Sequence, residues 1–166
     1  MADYKNPPIH RHNALAPFSR DHYVGLVQAR HLIRAADADD DERHRAIAEF
    51  IDAWRNDILI HFEDEERLLL SLMNDADQQR MLDEHRRLTE LASAVRAQRK
   101  QVSPDPQLIR ETGTLLEQHI RWEERELFNR LQDQAGKAAL AALHHSTTKI
   151  ESSRHRDASR SRCNTP

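Results

Sequence analysis

Apolar residues recur at alternating steps of three and four along most of this chain, the period of an amphipathic helix. The pattern predicts four long helices. The first runs from about Ser19, a good N-cap, to about Ala36, with Phe18, His22, Leu26, Ala29 and Ile33 inward. The second spans roughly 42–73 and carries Ile47, Ile51, Trp54, Ile58, Leu68 and Leu72. The third, 76–100, turns Met81, His85, Leu88, Ala92 and Val95 to the core. The fourth, 105–133, does the same with Leu108, Thr112, Leu115, His119, Glu123 and Leu127. The acidic run Asp37–Asp41 suits the positive end of the helix that follows it, and Pro104 suits a helix start. Short links between four long helices predict an all-α, up-down-up-down four-helix bundle.

Outside the bundle the periodicity stops. Residues 1–18, interrupted by Pro7, Pro8 and Pro17, read as an irregular arm that Ile9, Leu15 and Phe18 could pin to the bundle. The bundle domain covers 19–150, including a short extra helix from Lys137 to about Ile150. Residues 151–166 are rich in serine and arginine, Arg154, Arg156, Arg160 and Arg162 among them, and are expected to be disordered.

The second stripe contains an anomaly. Stepping on from Ile58 lands on His61 and then Glu65, so an imidazole and a carboxylate occupy successive places on a seam that should be apolar. Buried polar groups are costly unless something satisfies them. At this spacing the two side chains differ by roughly 40° around the helix axis and about 6 Å along it, so both can reach one bound centre. The fourth helix repeats the pair with His119 and Glu123. The likeness runs further, His61-Phe-Glu-Asp-Glu-Glu-Arg-Leu-Leu against His119-Ile-Arg-Trp-Glu-Glu-Arg-Glu-Leu, and reads as two pseudo-symmetric half-sites. His22 and His85 take core places on the other two helices.

Composition narrows the chemistry. Among 166 residues there are 11 histidines and a single cysteine, Cys163, so neither an intramolecular disulfide nor a thiolate metal site can be built. A net charge of -3 gives no reason to expect nucleic acid or an anionic membrane as partner. There is no signal-like apolar segment and no run long enough to span a bilayer, which makes the cytoplasm the default compartment. The remaining candidate is a metal held by His22, His61, Glu65, His85, His119 and Glu123. Six donors exceed the four of a structural zinc site, and imidazoles argue against calcium or magnesium. Four imidazoles and two carboxylates suit two iron ions, each with two histidines, both glutamates bridging, and positions left for an exogenous ligand. A module without metal would have to pair Glu65 with His85 and Glu123 with His22 as buried ions, an expensive alternative.

The set His22, His61-x-x-x-Glu65, His85 and His119-x-x-x-Glu123 resembles the pattern of the hemerythrin-like, HHE cation-binding proteins over about residues 15–133. Asp21 before His22, Glu84 before His85, and Glu126-Leu-Phe128 after the last pair fit as well. The resemblance implies a four-helix bundle around an oxo-bridged, non-haem di-iron centre that binds dioxygen or nitric oxide. The sequence departs from the oxygen carriers of that family in two places. They have a second histidine four residues into the third helix, where Thr89 stands here, and their last helix has aspartate at the fifth position after histidine, where Glu124 follows Glu123. One imidazole fewer implies more open irons, suited to nitric oxide, peroxide or redox sensing rather than reversible oxygen storage. The alternative is an iron-donating or peroxidase-type enzyme resembling the iron-sulfur repair proteins; those usually carry an N-terminal cysteine-bearing domain, whereas the single cysteine here is Cys163.

Overall fold

The computed structural model describes residues 10–163, with 155–163 as backbone only. The described residues form five helices and no strand. Helix α1 is Ala16–Ala36. Helix α2 is Asp40–Ala53, continued through a π turn at Trp54–Ile58 and the segment Leu59–Leu69 to a closing 3-10 turn at Leu70–Leu72. Helix α3 is Asp75–Gln98. Helix α4 is Pro106–Trp122, continued through a second π turn at Glu123–Leu127 to Phe128–Gln134. Helix α5 is Lys137–Cys163. The first four form the predicted bundle, in which α1 packs on α2 and α4, and α3 packs on the same two.

Local chemistry sets most of the helix ends. Asp39 caps α2 by accepting the Glu42 N–H at 2.9 Å, and Asp40, Asp41 and Glu42 place negative charge on its first turn. Asn74 caps α3 through the Asp77 N–H, and Asp105 caps α4 with Pro106 in the first turn. Two starts differ from expectation. It is Pro106 rather than Pro104 that opens α4. Helix α1 begins at Ala16 rather than Ser19, because Pro17 is compatible with a first helical turn. The Ser19 hydroxyl instead accepts a hydrogen bond from Arg11. Leu15 and Phe18 are buried as expected of the arm, while Ile9 lies outside the described residues.

The extra helix continues well past Ile150. No glycine or proline interrupts 137–163, the Ser152 and Ser153 hydroxyls bond back to the carbonyls of Thr148 and Ile150, and Arg154 is tied to the bundle by two carboxylates. Residues 164–166 lie outside the described residues.

The core is divided in two. One cluster contains Ala29, Leu32, Phe50, Phe62, Leu88, Leu116 and Ile120, the other Leu15, Phe18, Leu69, Met81, Trp122 and Phe128. His22 falls between Phe18 and Ala29, Glu65 between Phe62 and Leu69, and His85 between Met81 and Leu88. The polar residues therefore form a layer across the bundle with apolar packing above and below.

The inward face of α1 is rotated from the predicted stripe. Gly25 and Leu32 are buried, while Leu26 and Ile33 are only partly so. Two glycines let α1 and α4 approach closely. A Cβ on Gly113 would stand 2.6 Å from the Ala29 carbonyl oxygen and 3.1 Å from Leu32 Cβ, and backbone cannot move aside. A Cβ on Gly25 would meet only the tip of Ile120, at 2.7 Å, which can change rotamer. Gly113→Ala is therefore expected to destabilise by about 1–3 kcal/mol, despite the roughly 1 kcal/mol by which alanine favours a helix. Gly25→Ala should cost less. Urea unfolding of the two variants in one metal state checks this, and a Gly113→Ala protein as stable as the parent would contradict the packing argument.

Candidate metal centre

All six predicted site residues converge at mid-bundle. His22 comes from α1, His61 and Glu65 from α2, His85 from α3, and His119 and Glu123 from α4. None is more than 6% exposed. Their donor atoms form two groups, His22, His61, Glu65 and Glu123 in one and Glu65, His85, His119 and Glu123 in the other, with the atoms of each group within 4.8 Å of one another.

The two carboxylates belong to both groups and divide their oxygens between them. Glu65 Oε1 lies 3.0 Å from His61 Nε2 and 3.5 Å from His22 Nε2, while its Oε2 lies 3.5 Å from His85 Nε2. Glu123 Oε2 lies 3.1 Å from His22 Nε2, and its Oε1 lies 3.4 Å from His119 Nε2. His85 Nε2 and His119 Nε2 face each other at 3.1 Å. Every imidazole thus turns Nε2 to the centre.

Every Nδ1 turns outward to a carboxylate on the neighbouring helix. Glu124 Oε1 stands 2.6 Å from His22 Nδ1, Glu66 Oε1 2.8 Å from His85 Nδ1, and Glu84 Oε2 2.7 Å from His119 Nδ1. Asp21 Oδ2 is 3.7 Å from His61 Nδ1. The four acids sit one residue from a donor. Asp21 and Glu84 precede His22 and His85, and Glu66 and Glu124 follow Glu65 and Glu123. They close a ring, in which α1 clamps α2, α2 clamps α3, α3 clamps α4 and α4 clamps α1. Histidine ligands are characteristically oriented in this way by an outer acceptor. Three arginines bind the outer acids. Arg11 donates to Glu124 Oε2 at 2.6 Å, Arg80 to Glu84 Oε1 at 2.8 Å, and Arg154 to Asp21 Oδ2 at 2.9 Å.

These contacts fix the tautomers. An ionised carboxylate only accepts hydrogen bonds, so His22, His85 and His119 carry their hydrogen on Nδ1. As neutral rings they then point Nε2 lone pairs at one another and at the oxygens of Glu65 and Glu123. Lone pair facing lone pair in a dry core is repulsive unless a cation lies between. Accordingly His22 Nε2, both nitrogens of His61 and all four oxygens of Glu65 and Glu123 are buried without a hydrogen-bond partner. Such orphans are rare in native cores, and this donor set fits a metal.

The surroundings are apolar and aromatic. Phe62 stacks on His85 with ring centroids 3.8 Å apart, and Phe128 stacks on His22 at 5.5 Å. Trp54 and Trp122 are buried walls, and Tyr23 is exposed as its place off the stripe requires. No fifth imidazole joins among the described residues. Thr89 faces solvent and its hydroxyl donates to the His85 carbonyl, His10 and His12 are exposed on the arm, and His31, His144 and His145 stay away from the centre. The choice of Glu123 over Glu124 agrees with the placement, since Glu123 faces the centre and Glu124 backs His22. Sequence periodicity missed the clamping role of Glu66, Glu84 and Glu124, and of Arg11 and Arg154. The signal available was an acid immediately beside a core donor on every helix.

Without metal, protons take the place of the cation. Burial disfavours a charged His61, but the Glu65 carboxylate outweighs it and raises the ring from the usual 6.5 to about 9. His22 is raised too, burial being outweighed by hydrogen bonds to Glu123 and Glu124, and so is His85, through Glu65. Groups raised in the folded state stabilise it fully below their unfolded value and lose that contribution as pH climbs through the folded one. Metal-free protein is therefore expected to lose thermal stability between about pH 6.5 and pH 9, and a bound divalent metal should suppress the loss. Melting followed by circular dichroism tests this; a metal-free melting temperature that stays flat or rises across the window contradicts it.

The family model described as the hemerythrin HHE cation binding domain matches residues 19–151. No curated protein and no solved structure matches the chain significantly. The match covers the whole ring of donors and clamps, and this chain belongs to the hemerythrin HHE cation-binding family.

Proposed function

We propose that the centre holds two iron ions and that the protein takes up dioxygen, nitric oxide or peroxide there, in sensing, storage or a stress response. The division of the Glu65 and Glu123 oxygens between two histidine pairs carries this reading. His22 and His61 would hold one ion, His85 and His119 the other, with both glutamates spanning the two. Bound there, the pair of ions supplies a redox-active site with room for a small exogenous ligand, because only four imidazoles are present. The protein's own contribution is the rest. The ring of acids fixes three tautomers, and Phe62 and Phe128 keep water from two of the rings. No helix among the described residues is long and apolar enough to cross a membrane.

Iron donation is the second reading. One observation favours it, the 3.7 Å gap between Asp21 and His61, which leaves one ligand less firmly anchored than the other three.

Iron per chain and the absorption spectrum in air come first. About two irons with near-ultraviolet oxo-to-iron bands are expected, and zinc alone or a single ion overturns the assignment. His61→Ala should keep its helical circular dichroism and lose bound iron. Mixing the reduced protein with dioxygen and with nitric oxide then separates the roles. Rapid irreversible oxidation is expected, whereas a fully reversible spectral change with dioxygen would make this a storage protein.

A further inference from the structure

The outer ring is closed tightly at three histidines and loosely at the fourth, and the loose one lies under the C-terminal helix. At Glu124 and Glu84 the two carboxylate oxygens have separate tasks. Glu124 gives Oε1 to His22 and Oε2 to Arg11, and Glu84 gives Oε2 to His119 and Oε1 to Arg80. At Asp21 both partners are directed to the same atom. Oδ2 accepts Arg154 Nη1 at 2.9 Å and stands 3.7 Å from His61 Nδ1. That nitrogen is buried and has no hydrogen-bond partner. The other arm of the guanidinium binds Asp64, the residue before Glu65. Arg154 so ties α5 to α1 and α2 directly outside His61. It walls a cavity of about 20 Å³ bounded also by Phe18, Thr147 and Ile150, and a cleft of about 370 Å³ bounded by Val24, Asp57 and Ile60.

We propose that Arg154 is a positioning residue of the metal centre. By holding Asp21 Oδ2 away from His61 it keeps the ion of the His22/His61 half exchangeable, and it couples docking of α5 to occupancy of that half. The inference rests on the metal reading above. Docked, Arg154 holds Asp21 Oδ2 beyond hydrogen-bond reach of His61 Nδ1 and adds a positive charge beside the site. Released, it frees Asp21 to close on His61 at the spacing seen at the other three rings. Both effects act in one direction, toward a more firmly held ion. Coupling of this kind is reciprocal, so filling that half weakens the grip on α5.

The test is release of iron(II) from the full-length, fully loaded protein to a coloured chelator under argon. The parent should release its iron in two unequal phases. Arg154→Gln should slow the fast phase about tenfold, the lower end of what outer acceptors contribute to metal affinity, and leave the slow phase alone. In an Asp21→Asn background the same substitution should have no further effect, which separates positioning from simple loss of charge. Amide hydrogen exchange in α5 of the unaltered protein should rise on loading, a readout that needs no variant. A single phase, equal slowing of both phases, an effect that persists with Asn at 21, or exchange indifferent to iron overturns the inference while leaving the metal centre standing. A parent that takes up no metal overturns both.

Discussion

The bundle has to bring two carboxylates and four imidazoles into its driest layer with their lone pairs facing inward. Isolated charges in such a place cost several kcal/mol each even after relaxation. Everything around the layer serves to make that tolerable in one arrangement only. Apolar clusters seal it above and below. Acids on the outside polarise each ring so that its inner nitrogen is the better donor. Arginines then hold three of those acids in place. A cation at the middle converts mutual repulsion into attraction, so metal binding adds to the folding free energy.

The two π turns belong to this economy. Each widens a helix by one residue near a donor, just before the His61 segment and at Glu123 itself. At Glu123 two successive glutamates serve one imidazole, Glu123 at Nε2 and Glu124 at Nδ1, as Glu65 and Glu66 serve His85 from a regular helical segment. Such bulges are often found at functional sites.

The donors could be read in the sequence because they interrupt an apolar rhythm. His61 and Glu65 announce themselves where leucine is due, and on α3 every residue of the expected stripe, from Met81 to Val95, is buried, with Leu91 beside it. What could not be read depends on neighbours or on absence. Gly25 and Gly113 bury their faces through lack of a side chain, so the α1 stripe was drawn through Leu26 and Ile33 instead. Stepping by three and four leaves the last step from Glu65 open, and a step of three selects Leu68 where Leu69 is the buried residue. Glu66, Glu84 and Glu124 look like ordinary surface acids until the adjacent helix supplies an imidazole. Arg154 looked like part of a solvated tail because its partners, Asp21 and Asp64, lie far away along the chain.

The ring of clamps repeats after two helices. An acid before histidine reaches the next helix, an acid after glutamate reaches the one beyond, and the sequence of contacts then begins again. A helical hairpin closed on a second copy of itself by a two-fold axis would build the same ring. The covalent connection between α2 and α3 is, in that respect, incidental to the centre. What a symmetric pair could not reproduce is the inequality of the two halves. That resides in the arginines: Arg154 reaches Asp21 from α5 while Glu84, its two-fold counterpart, takes Arg80 from its own helix, and Arg11 at Glu124 has no counterpart at Glu66 among the described residues. Single-chain construction is thus what permits the two halves to differ.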